Sequence, residues 1–149
     1  MYHYTDSGMA NIWLRNGYQS LKTPYGKALA IEDVEGLHRC IGRKLAQEKP
    51  HLTGPEFRFL RKELGLSQLA LARLMGLSDA QALAKWEKLG RVATLPDRFI
   101  RQLYLESVVK KTARFTDLIQ RLQQTEENWN GVRMILVEQP NKGWETRAA

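Results

Sequence analysis

Leu66-Ser-Gln-Leu-Ala-Leu-Ala-Arg-Leu-Met-Gly-Leu-Ser78, followed by Ala84-Lys-Trp-Glu87, is the stretch that decides the fold. Ser67 stands just before a run that carries Leu71, Ala72, Leu74 and Met75, in the position of an N-cap. Gly76 stops the run, because glycine takes a left-handed backbone without a Cβ penalty. A second short helix is expected over about Ala80 to Lys88, with Leu83 and Trp86 inward. Two short helices across a sharp glycine turn, with the small Ala72 on the inner side, make a helix-turn-helix. Leu83 and Trp86 pin the second helix and leave its other face free for a DNA major groove.

Outward from this stretch the pattern stays mostly helical. Thr53-Gly-Pro-Glu56 is a capping box, with proline tolerated in the first turn. Phe57, Leu60 and Leu64 form an inner face, and Gly65 ends that helix. Val34, Leu37, Ile41 and Leu45 predict a helix over 32–47. Thr94-Leu-Pro-Asp97 is expected to cap a further helix that buries Phe99, Ile100 and Leu103. Another, over about 113–124, uses Phe115, Leu118, Ile119 and Leu122. Short strands are expected at Ile12–Leu14, Tyr18–Leu21, Lys27–Ala30 and Met134–Val137, the last in a hairpin that turns at Pro140 to Gly143. The expected fold is mainly α. It holds a helix-turn-helix domain of about five helices and a small α+β subdomain from the N- and C-terminal segments, whose strands pair. The boundaries are 1–50, 51–109 and 110–149.

The chain has 149 residues, of which 43% are hydrophobic, so it can build a core. With 23 basic and 16 acidic residues, its net charge of +7 favours a polyanionic partner. No apolar run reaches the roughly 18 residues of a membrane span, and no secretory pattern opens the chain. Cys40 is the only cysteine, which excludes an internal disulfide and suits the cytoplasm. No Gly-rich phosphate loop, nucleophile elbow or metal dyad is present. His3, His38 and His51 lack ligand spacing. His38 and Arg39 point about 100° apart on a helix and do not face one site. The expectation is therefore a protein without enzymatic activity, metal or cofactor, with a small ribonuclease-like enzyme as the remote rival.

The Leu-Ser-Gln start, Leu71-Ala72, the Gly76 turn and the Trp86-Glu87 ending resemble the XRE, or lambda-repressor-like, family over about a third of the chain. The resemblance implies that Gln68 fixes a phosphate and braces the reading helix. It implies that Ala80, Gln81 and Lys85 face base edges, where Gln suits adenine and Lys suits guanine. Ser78, Lys88 and Arg91 suit phosphates, with Arg58, Arg61, Lys62 and Arg73 as further backbone contacts or plain solvated charges. Between Gly76 and Trp86 there is one residue more than the usual family spacing. That leaves the register of the first contacts open by one position.

Gly54-Pro-Glu-Phe-Arg-Phe-Leu-Arg-Lys-Glu-Leu-Gly-Leu-Ser67, with Trp86-Glu-Lys88 and Pro96-Asp-Arg98, is also similar to antitoxin-type regulators of the MqsA (YgiT) group. That group carries paired Cys-x-x-Cys zinc motifs, which one cysteine cannot supply. These resemblances imply a homodimeric repressor on a near-palindromic operator in double-stranded DNA, and a toxin or other protein as possible partner. The alternative is a toxin-neutralising protein whose DNA binding is secondary. Tyr18, Tyr25 and Trp144 suit either a protein interface or a small core, and Trp13 is expected in the core.

Overall fold

The computed structural model describes residues 1–109, 114–125 and 133–147. In chain order the elements are β1 (Tyr2–His3), β2 (Trp13–Leu14), β3 (Tyr18–Thr23), β4 (Gly26–Ile31), α1 (Val34–Gln47), α2 (Gly54–Glu63), α3 (Gln68–Leu74), α4 (Gln81–Trp86), α5 (Thr94–Val109), α6 (Arg114–Thr125), β5 (Ile135–Gln139) and β6 (Gly143–Arg147). The described chain is mixed α+β with a helical majority, and it divides into two compact units, Met1–Phe115 and Thr116–Ala149.

In the first unit, local signals set the helix ends. Asp33, at φ 46°, accepts from the Gly36 amide at 3.0 Å and starts α1. Thr53 and Glu56 close a reciprocal capping box on α2. The Glu56 carboxylate takes the Thr53 amide at 2.8 Å and the Lys49 ammonium at 2.7 Å. Those bonds are what allow a carboxylate only 2% exposed. Gly65, at φ +69°, ends the turn after α2. Leu52, Phe57, Leu60, Leu71, Leu83 and Ile100 are fully buried, and Ile41 and Leu45 of α1 join the same core. Residues 1–50 therefore share one hydrophobic interior with α2 to α5.

Arg101 and Asp97 tie this core across the chain. Asp97 accepts from the Leu52 amide at 2.8 Å and from Arg101. Arg101 in turn donates to the carbonyls of Leu45 and Lys49, at the end of α1. α1 and α5 also approach closely, because Gly42 leaves room for Tyr104. Burial pushes the Tyr104 and Tyr4 phenols above the usual tyrosine value, so both stay neutral at ordinary pH.

Three sequence expectations change here. Thr94 does not cap α5: the Asp97 amide bonds to the Ala93 carbonyl, so the helix begins one residue earlier, and the Asp97 side chain turns inward. Val34 is 42% exposed, because α1 starts there on its solvent side. Trp13 is 57% exposed and stacks on His3 at 4.3 Å, since its two-residue strand has only β1 beside it.

All three described sheets are antiparallel two-stranded hairpins or ribbons: β1 with β2, β3 with β4, β5 with β6. The strands of the two chain ends thus do not form the common α+β sheet expected from the sequence. Each pairs within its own two strands, as a Pro140-Asn141-Lys142 turn and a Pro24-Tyr25 turn permit. In the second unit, α6 carries Leu118 and Leu122 exposed, and the β5–β6 hairpin exposes Leu136 and Trp144.

Gly54 tests the close packing at the start of α2. A Cβ there would lie 2.4 Å from the Glu87 carbonyl and 2.6 Å from the Trp86 carbonyl oxygen. Backbone atoms cannot swing aside, so Gly54→Ala should lower stability by about 1–3 kcal/mol. A urea midpoint equal to that of the native sequence would show that the α2–α4 approach is looser than described.

Candidate nucleic-acid interface

Ser67 opens α3 by accepting from the Ala70 amide at 3.0 Å. α3 then buries Leu71 and Ala72 completely. Its end is a paired stop: the Gly76 amide bonds to the Arg73 carbonyl at 3.0 Å, and Leu77 to Ala72 at 2.8 Å. This geometry needs the left-handed backbone of Gly76, at φ +78°. Ser78 is exposed in the turn that follows. Asp79 accepts from the Gln81 amide at 2.9 Å and does the capping that the side chain of Ala80, the N-cap residue, cannot. The helix expected over Ala80 to Lys88 is therefore α4, Gln81–Trp86, shorter at both ends.

α4 has two opposite sides. Leu83 is fully buried, and Trp86 meets the Phe57 ring edge-on at 6.1 Å. Trp86 is only half-buried, and with Met75, Leu77, Leu95, Pro96 and Phe99 it lines an apolar hollow of about 410 Å³. Gln81 and Lys85 lie four residues apart, hence on one face, and both are exposed. Ala80, the N-cap residue of α4, is half-buried.

A buried polar joint fixes the far end of α4. Glu87, its C-cap residue, is 8% exposed. Its carboxylate takes Arg61 Nε at 2.7 Å and the Gln68 side-chain amide. Arg61 also donates to the Leu66 carbonyl at 2.9 Å. One carboxylate thus joins α2, the first turn of α3 and the end of α4. Gln68 sits where its amide reaches this joint. Arg61 is 8% exposed and committed to Glu87, so it is neither a solvated charge nor a backbone contact. The signal was present in the sequence: Arg61 is four residues after Phe57 and shares the inner face of α2.

Lys88 and Arg91 follow α4 on an exposed loop. Two backbone bonds hold that loop against the start of α2: Gly54 to the Leu89 carbonyl at 2.8 Å, and Val92 to the Leu52 carbonyl at 2.9 Å. Arg58 and Lys62 are exposed on α2 and border a small hollow near Asp6 and Ser7. Beside it, His38 spans Tyr4 and Glu63, with 2.8 Å contacts at each ring nitrogen. That chain moors the N-terminal segment to α1 and α2. Among the described residues no group of three or more His, Cys, Asp or Glu side chains is arranged to hold a metal ion, and no helix is long and apolar enough to cross a membrane.

No family model, curated protein or solved structure matches the chain.

The Glu87 joint carries a strong expectation. Its side chain and that of Arg61 are 5% and 10% exposed. Removing one partner leaves the other charge buried and unpaired, which typically costs about 3–5 kcal/mol. Glu87→Ala should therefore destabilise severely. The double change Arg61→Met with Glu87→Leu should recover most of that loss, because an apolar pair removes the desolvation penalty. Chemical denaturation of both variants provides the check; a loss below about 1 kcal/mol for Glu87→Ala would mean the joint is open to water.

Proposed function

We propose that this chain is a sequence-specific transcriptional regulator that lays α4 in the major groove of double-stranded DNA. The observation that carries the reading is the pairing of a free face with a locked one. Gln81 and Lys85 are exposed together, while Leu83 and the Glu87 joint fix the helix from behind. Gln81 offers bidentate bonding to adenine and Lys85 reaches guanine, with Ala80 small enough to meet a thymine methyl. Ser78, Lys88 and Arg91 are assigned to phosphates, which set register without reading sequence, and Gln68, its amide held by Glu87, to bracing the helix. The net charge of +7 suits the same partner. The likeness of residues 66–87 to lambda-repressor-like regulators supports the reading. It adds a homodimer on two half-sites about one helical turn apart, and repression of the operon that carries the gene.

A second reading gives the tail a protein partner, such as a toxin, with DNA binding secondary. It is favoured by Leu118, Leu122, Leu136 and Trp144, which are 44%, 59%, 52% and 72% exposed.

Selection from a random duplex pool tests the first reading. The native protein should enrich a near-palindromic site whose binding weakens steeply with salt, because neutralised phosphates release counterions. Lys85→Ala should weaken that site by about 1–3 kcal/mol and relax preference at one base per half-site. A pool that shows no enrichment would refute sequence-specific regulation by this chain alone.

A further inference from the structure

The β3–β4 hairpin has no task in the reading above. From Ser7 to Ile31 the chain holds no acidic residue, yet it holds Arg15, Lys22 and Lys27. The strand register sets Lys22 directly opposite Lys27. Side chains in that relation have Cβ atoms about 4.5–5.5 Å apart, and like charges so placed destabilise a hairpin. Among the described residues neither ammonium is paired with a carboxylate. Among the described residues, the contacts of the hairpin lie at its base. Ile31 packs on the core, the Tyr18 ring lies 5.4 Å from that of Tyr2, and the Gly17 carbonyl accepts from the Glu32 amide. Residues 19–28 are exposed, and Tyr25, at the turn, is 100% exposed. The result is a two-stranded cationic arm standing off the helices.

We infer that this arm is a second DNA contact, laid on the phosphate backbone of the duplex. Lys22 and Lys27 each neutralise a phosphate, which turns their mutual repulsion into shared attraction for one polyanion. The Tyr25 hydroxyl donates to a phosphate or sugar oxygen, a role tyrosine fills in such interfaces. The inference rests on the DNA-binding reading and adds to it a contact that reads no sequence. Duplex DNA is the occupant, rather than a membrane surface, on two grounds. The arm belongs to the same compact unit as Lys85, Lys88 and Arg91. Its tip also offers one proline and one tyrosine, too little apolar surface to insert into lipid.

The test compares the full native chain with Lys22→Ala/Lys27→Ala, titrated on the selected site and on unrelated duplex over a salt series. The slope of log affinity against log salt should fall in magnitude by about 1.8 for the double variant, or roughly 60-fold in affinity at 0.1 M salt. The loss should be the same on both duplexes. The urea midpoint should hold or rise, since a like-charge pair is removed. Tyr25→Ala, at a wholly exposed position, should weaken both duplexes alike without moving that midpoint. An unchanged salt slope in the double variant overturns the arm and leaves the reading of α4 intact. Native protein that binds every duplex equally, with a slope that depends on the arm, overturns specific regulation and keeps the arm. Native protein that binds no duplex overturns both.

Discussion

The Glu87 carboxylate is the constraint on which the rest of the fold depends. Three segments meet at it: α2 through Arg61, the start of α3 through Gln68, and α4 through its own C-cap position. A six-residue helix such as α4 cannot persist alone, because helix nucleation fixes several residues before bonds repay the entropy. Its direction must come from outside. Leu83, with Trp86 against Phe57, supplies the apolar contact, which is non-directional. Glu87 supplies the second fixed point, and Gly54 brings the α2 backbone against the last carbonyls of α4. A buried ion pair adds little over a well-packed apolar pair, yet losing one partner is costly. The joint is therefore close to all-or-none, and the exposed face of α4 inherits its orientation.

The same device recurs twice, each time at a helix end. Glu56 is buried with Lys49 and the Thr53 amide, and Asp97 with Arg101 and the Leu52 amide. Each acid takes a backbone amide that would otherwise lose its bond with water, so the loop between α1 and α2 has its polar groups answered from inside. Arg101 answers the opposite need, by donating to carbonyls at the end of α1. The interior thus holds three carboxylates without an unpartnered buried side-chain atom among the described residues.

Features governed by neighbours in sequence were legible beforehand. The Thr53–Glu56 box, the Ser67 cap, the stops at Gly65 and Gly76, and the Pro24-Tyr25 turn all follow from side chains within four positions. The inward set Phe57, Leu60, Leu71 and Leu83 follows from helical periodicity. The faces of α4 were legible for the same reason, since burying Leu83 leaves Gln81 and Lys85 outward. What escaped depends on distant partners. Arg61 reads as a surface cation until Glu87, far along the chain, is brought beside it. Trp13 reads as core because tryptophan usually is, but a two-residue strand provides no second layer to cover it. The pairing of the two chain ends failed for a further reason. Apolar alternation marks a strand without naming its partner, and a nearby turn lets each strand close on its own neighbour at low entropic cost.

The two exposed hairpins then differ in kind. β3–β4 pairs lysine with lysine and contains no acid, so water and salt must absorb its repulsion in the free protein. β5–β6 pairs Leu136 with Thr146 and Glu138 with Trp144, and leaves Leu136 and Trp144 in solvent. The cost at the first hairpin is electrostatic and falls as a polyanion approaches. The cost at the second is hydrophobic and falls only when apolar surface covers it. The two hairpins thus differ in what would relieve them: a polyanion for the first, apolar surface for the second.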